Sequence, residues 1–179
     1  MPTSIPIRQL QDCNINRNLF VNFIRHQVVN DCYRKENGQW VIKSEPFIDD
    51  WTETDYEFLI SCLKNTLRNG GAVYGAFIDN QLKGFVPVEG QLFDENSRYL
   101  DLTSLHISED VRRLGIGRDL FQVAKKWAKA QGANKLYISA HSAAESQKFY
   151  LAMGCRDAAK PNMEHVQAEP YDRQMECIL

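Results

Sequence analysis

The chain has 179 residues, of which 25% are charged, and a formal net charge of -2. That length suits one domain, residues 1–179, with a proper core, and the near-neutral charge gives no reason to expect nucleic acid or an anionic membrane as partner. No apolar run approaches a membrane span, and no charged and apolar leader opens the chain. The cysteines, Cys13, Cys32, Cys62, Cys155 and Cys177, are odd in number and lack C-x-x-C spacing, which speaks against a disulfide framework and a zinc site. A cytoplasmic protein with reduced thiols and no metal is expected.

Taken in order, Ile5 to Leu10 alternates and reads as a first strand. Asn14 or Asn16 caps a helix predicted over 17–29, with Leu19, Phe20, Phe23, Ile24 and Val28 as its apolar stripe. Residues 33–50 read as irregular, with an Asn37-Gly38 turn and Pro46 excluding a helix. A second helix opens at Thr52, with Asp55 completing an approximate capping box, and runs through Tyr56, Leu59, Ile60, Leu63 and Leu67 to Gly70-Gly71.

Three strand-like runs follow at 72–78, 82–93 and 99–107, divided by polar turns at Asp79-Asn80 and at 94–97. They predict an antiparallel meander whose middle member is made irregular by Gly84, Pro87 and Gly90. Ile116, Leu120, Val123, Ala124 and Trp127 then fall on one face of a helix that Gly132 closes, with Lys125, Lys126 and Lys129 near its negative end. A strand over 135–140 completes a strand–helix–strand unit, which implies parallel pairing. A short helix over 143–153 ends at Gly154, and the tail holds a further strand-like run within 171–179. The order is that of a mixed α/β (α+β) fold, with helices on both faces of a mostly antiparallel central sheet.

The loop before the long helix carries the chemistry. The first turn of a helix has unpartnered N–H groups and a positive dipole end. Gly115 and Gly117 remove the Cβ atoms that would hold a phosphate away, and Arg112, Arg113 and Arg118 add charge. A di- or polyanion, most simply a pyrophosphate, fits there. No Gly-Lys-Ser/Thr follows, so this is not a P-loop, and Leu120 stands where a dinucleotide fingerprint needs its third glycine.

Arg112, Gly115 and Gly117 do match Arg-x-x-Gly-x-Gly, which resembles the acetyl-CoA pyrophosphate loop of the GCN5-related N-acetyltransferases, the GNAT superfamily. Residues 142–155 are similar to the second GNAT signature, with Phe149, Tyr150 and Gly154 in register. Ala143, Ser146 and Cys155 replace the usual Asn, Ala and Phe. The missing Asn leaves one polar cofactor contact to Ser142 or Ser146.

The resemblance implies acetyl-CoA as cosubstrate, with its pantetheine arm on the backbone of Leu105, His106 and Ile107. Its pyrophosphate would lie on the amides of Arg113, Leu114, Gly115, Ile116, Gly117 and Arg118, with Arg112 supporting the loop and Phe149 beside it. Tyr150 matches the tyrosine that protonates the leaving thiolate; the competing reading is a core tyrosine. For the base, Asp101 is the first candidate, against a plain solvated aspartate, with Glu89 and Glu109 as rivals. Strand parity sets His106 opposite Asp101, as a structural histidine, and leaves His141 and His165 open.

The resemblance sets the acceptor side among Asp49, Asp50, Glu53, Asp55, Trp40, Phe47, Trp51 and Tyr56, with Glu169, Tyr171 and Asp172 from the tail; the competing reading, which the residues favour, is a helix N-terminus with acids in its first turn and aromatics in the core. A small-molecule amine (antibiotic, polyamine or amino-acid derivative) is the first expectation, and a protein N-terminus or lysine the second. Transfer would be direct, in a ternary complex. A non-catalytic acyl-CoA sensor is the competing class. Nothing in the sequence separates monomer from homodimer.

Overall fold

The computed structural model describes residues 5–179. Two four-stranded sheets form the centre of the molecule. In the first, the order is β1 (Ile7–Gln9), β4 (Ala72–Ile78), β5 (Gln81–Val88) and β7 (His106–Ile107), all antiparallel. In the second it is β6 (Tyr99–Asp101), β8 (Lys135–Ala140), β10 (Arg173–Ile178) and β9 (Arg156–Asp157), with only β6 and β8 parallel. A bridge between Val88 and Leu102 joins them. Helix α1 (Glu53–Arg68) covers one face, while α2 (Ile116–Ala130) and α3 (Ala144–Ala152) belong to the other.

The mixed, mostly antiparallel architecture and the parallel strand–helix–strand unit agree with the sequence reading. So does the start of α1, where the Thr52 hydroxyl accepts from Asp55 N–H and the Asp55 carboxylate accepts from Thr52 N–H. The α2-side core holds Val86, Val88, Leu100, Leu102, Leu136 and Ile138, alternate residues of their strands, with Leu120 and Phe121 from α2. Phe20, Phe23, Tyr56, Leu63 and Phe85 fill the α1 side.

Three expectations are corrected. The helix predicted over 17–29 is a single 3-10 turn, Arg17–Phe20, capped by the Asn16 side chain. Phe20 and Phe23 of the supposed stripe are buried, but Ile24 and Val28 are exposed, so no continuous helical face is buried. Instead the chain runs into a long hairpin, β2 (His26–Glu36) and β3 (Gln39–Asp50), where an irregular segment was expected. Asn37 and Gly38, at φ 48° and 79°, supply the two left-handed residues of a tight hairpin turn. Pro46 is tolerated because it falls where the register slips between Val29/Phe47 and Asp31/Ser44.

The third correction concerns residues 99–107, which divide into β6 and β7. Val88 opposes Leu102 and Phe85 opposes His106, so three steps along β5 match four along the other chain. The extra residue is a bulge, and it reverses side-chain parity. The tail adds a helix that the sequence reading lacked, α4 (Met163–Ala168), with the Asn162 side chain at its start.

Candidate active site

The loop before α2 is held from below and from the side. A Cβ on Gly84 would lie 2.8 Å from Ile107 Cδ1 and 3.0 Å from Leu120 Cδ1, so a glycine lets β5 run close under the start of α2. Ser108 Oγ donates to Asp110 (2.5 Å) and accepts from Ile24 N–H (2.8 Å), and buried Lys83 donates to Asp110 (2.7 Å) and to the Asn22 carbonyl (2.8 Å). Arg112 points inward, donating to the carbonyls of His26 (2.6 Å) and Ile107 (3.4 Å). It is the loop's brace.

Above this base, Gly115 caps α2 at φ 85° with no side-chain partner on the helix end, and Arg113 is also left-handed at φ 68°. The first helical bond of this turn is Asp119 N–H to the Gly115 carbonyl, leaving the amides ahead of it for a ligand. Arg113, Leu114 and Arg118 are exposed around them. A Cβ on Gly117 would meet the Phe149 ring at 3.3 Å, so glycine also sets the approach of α2 to α3. Left-handed turns, open amides and exposed arginines fit a pyrophosphate.

Beside the loop the sheet parts. The parallel ladder of β6 and β8 ends at Asp101/Tyr137, with Leu102 N–H on the Tyr137 carbonyl (2.9 Å), whereas β7 pairs with β5. Leu105 and Ile107 pack toward the α2 side. The bulge turns His106 to the opposite face, which is the face of Asp101; the parity argument that set them apart fails for that reason. His106 lies 4.8 Å from the Trp51 ring and 5.5 Å from Phe85, and burial above all lowers its pKa to about 3, with Arg25, His141 and Arg112 adding to the effect. Its imidazole is neutral.

Tyr150 sits in α3 with 7% of its surface exposed and its ring against Phe149 (5.2 Å) and Phe121 (6.1 Å). Burial first, then Cys155 and Asp172, push its hydroxyl up, so it stays protonated. On the α1 side, Asp101 Oδ2 meets His165 Nε2 at 2.5 Å, and the His165 ring stacks on Tyr137 at 5.6 Å and 18°. Asp101 Oδ1 is sealed without a partner. The hydrogen bond that Asp101 accepts raises His165 against the opposing effect of burial. Burial raises Asp172 to about 6, although Ser139 Oγ donates to it at 3.2 Å. The charge of Asp172 adds to the rise of both Tyr150 and His165.

The other candidates separate. Glu89 accepts from Thr66 Oγ1 (2.6 Å) at the end of α1, and Glu109 is exposed on the turn before the loop. Ser142 is buried under the hairpin, its carbonyl accepting from Tyr33 N–H (2.9 Å), and Ser146 is half-buried on α3. Of the expected acceptor residues, Phe47 lies 5.9 Å from His141, Asp49 pairs with Arg25 at 2.5 Å, and Trp51 lies between Arg25 and His106. Asp50, Glu53 and Asp55 are engaged by His26, Arg17 and Thr52, and Trp40 packs against Lys35 and Arg173. Arg25 was absent from the sequence reading; an arginine beside a tryptophan and an aspartate far along the chain leaves no local signal.

The acetyltransferase (GNAT) family model matches residues 30–155. The chain belongs to the GNAT acetyltransferase family. Among curated proteins none matches the sequence. Of the solved structures, a nourseothricin acetyltransferase superposes with a TM-score of 0.72 at 15% identity, covering 98% of this chain and 99% of that one. A Bacillus anthracis protein described as a streptothricin acetyltransferase, in complex with acetyl coenzyme A, gives 0.69 at 18% identity, with 97% and 96% covered. The PaiA N-acetyltransferase of Thermoplasma acidophilum, in complex with coenzyme A, gives 0.61 at 16%, with 99% and 100% covered. The protein is thus a GNAT-fold N-acetyltransferase with acetyl-CoA as cosubstrate, as its two motifs implied. No helix of the described residues is long and apolar enough to cross a membrane.

Proposed function

We propose that this GNAT enzyme moves the acetyl group of acetyl-CoA directly to a primary amine of a small molecule, within a ternary complex in the cytoplasm. The reading rests on a protonated Tyr150 on α3 and on the Asp101–His165 contact, which lies where the parallel β6/β8 ladder ends. The loop from Arg113 to Arg118 would hold the pyrophosphate, and the strand at Leu105–Ile107 the pantetheine arm. Asp101 orients His165 through Nε2 and stabilises its cationic form, so the free Nδ1 is the atom that receives the amine proton. Tyr150 donates its proton to the leaving thiolate. Neutral His106 borders the amine's path without competing for its proton.

A small acceptor is supported by the way the hairpin is clasped to the tail. The Arg34 guanidinium lies 4.6 Å from the Tyr171 ring centre, Arg173 lies 4.8 Å from Trp40, and Phe47 packs on His141. The first two contacts bridge β2 and β3 to the tail that follows His165, and the third joins β3 to the residue after β8. The likeness to the nourseothricin and streptothricin acetyltransferases over nearly their full lengths supports the same class. The test is release of CoA across a panel of small amines, with a lysine peptide and a free N-terminal peptide beside them. Turnover is expected with a small amine and is expected to fall by about 10²-fold or more in Tyr150→Phe. Turnover confined to the peptides would overturn the assignment.

A further inference from the structure

We propose that Cys155 and Cys177 are a modification site, a thiol pair that closes to a reversible disulfide and ties the C-terminal strand to the end of α3. The geometry follows from register. β9 and β10 pair with Arg156 opposite Glu176 and Asp157 opposite Met175, so the next step sets Cys155 opposite Cys177. Ala158 N–H donates to the Gln174 carbonyl at 2.9 Å, which marks a hydrogen-bonded pair. Pair types alternate along an antiparallel ladder, so 157/175 is non-hydrogen-bonded, 156/176 hydrogen-bonded, and 155/177 non-hydrogen-bonded again. That is the closer type, with Cα atoms about 4.5 Å apart, at the near end of the roughly 4.4–6.8 Å that a disulfide spans.

Both side chains are buried in the α2-side core. Cys155 pulls the Cys177 thiol down, with burial opposing and Lys125 adding to the pull. Cys13 and Cys62 are exposed, and Cys32 is buried beside Ala143 under the hairpin. The oxidant is a hydroperoxide. Cys177 thiolate attacks the peroxide oxygen and the O–O bond breaks, giving a sulfenic acid; Cys155 sulfur then displaces water as the S–S bond forms. With hydrogen peroxide, two thiols lose two hydrogens and two electrons, and one peroxide becomes two waters.

The loop so closed, residues 155–177, contains His165 and Asp172. Cys155 N–H also bonds to the Tyr150 carbonyl at 3.0 Å. The cross-link therefore restrains the segment that supplies the tail side of the cleft, whether or not the acetyl-transfer assignment above holds. The full chain is treated with hydrogen peroxide, quenched, and examined by intact mass and non-reducing peptide mapping. The expected result is a loss of about 2 Da per chain, a linked peptide joining Cys155 to Cys177, reversal by dithiothreitol, and a melting temperature raised by several degrees. Cys177→Ala and, separately, Cys155→Ser should lose the mass change while still binding acetyl-CoA. A folded, oxidant-treated wild type in which both thiols stay free, or in which the mass loss maps to another pair, would overturn the proposal.

Discussion

Replacing Asp101 by Asn separates the two roles assigned to the Asp101–His165 contact. The Asp101 hydrogen bond is the largest influence raising His165, and His165 must be neutral to take a proton. Activity in the wild type should therefore fall as pH drops through that raised value. In Asp101→Asn the cause of the rise is gone, so the inflection in kcat/KM should move to lower pH while kcat itself drops through lost orientation. An unmoved inflection would remove His165 from the proton path. The place of Tyr150 on a helix was legible from its signature. The contact of Asp101 with His165 was not, because it joins residues far apart in sequence through a helix, α4, too short to leave a periodic pattern.

The hairpin shows how an element can be hidden behind a competing signal. Leu19, Phe20, Phe23 and Ile24 have helical spacing, yet the aromatic pair is drawn into the α1-side core and the chain beyond goes into β2. The Asn37-Gly38 turn was readable, and the β-branched residues on either side, Val28, Val29, Val41 and Ile42, were the missed half of the message. Gly38→Ala tests whether this turn holds the hairpin. Nothing lies within 4 Å of an added Cβ, so the cost is the left-handed backbone alone, about 1 kcal/mol or a little more. A melting temperature lower by about 2–4 °C is expected; an unchanged one would show that the hairpin is held by its contacts with α3 and the tail. The split of 99–107 was unreadable for another reason: one bulged residue reverses every face assignment after it, and no turn residue announces it.

Across the whole molecule, the second sheet and the tail are bound together by one buried carboxylate. Glu176, with no exposed surface, accepts from Tyr99, Lys135, Arg156 and the Ala159 N–H. Burial works against its charge, but these donors hold its pKa down at about 2. A depressed carboxylate contributes stability that is present above its unfolded value and lost as pH falls toward the folded one. Stability should thus decline between about pH 5 and pH 2 by up to about 3 kcal/mol from this group. Glu176→Gln should lower stability at pH 7 and flatten that decline, measured by denaturant unfolding. A variant with the wild-type acid profile would show that other groups govern acid unfolding.

The broad order of elements and the glycine-bearing loop before α2 were visible in the chain because both are local. The Asp101–His165 contact and the cluster of Arg25, Trp51 and His106 were not, since they arise where distant segments meet. Calorimetric titration of the purified protein with acetyl-CoA, beside Gly117→Glu, bears most directly on the placement of the site. An added side chain at Gly117 would crowd the Phe149 ring and bring negative charge to the start of α2. Binding at about micromolar Kd or tighter, lost by about 10²-fold or more in a variant with unchanged fold, is the predicted result. A folded wild type that does not bind acetyl-CoA, or a Gly117→Glu variant that binds it equally well, would contradict the placement of the pyrophosphate on this loop.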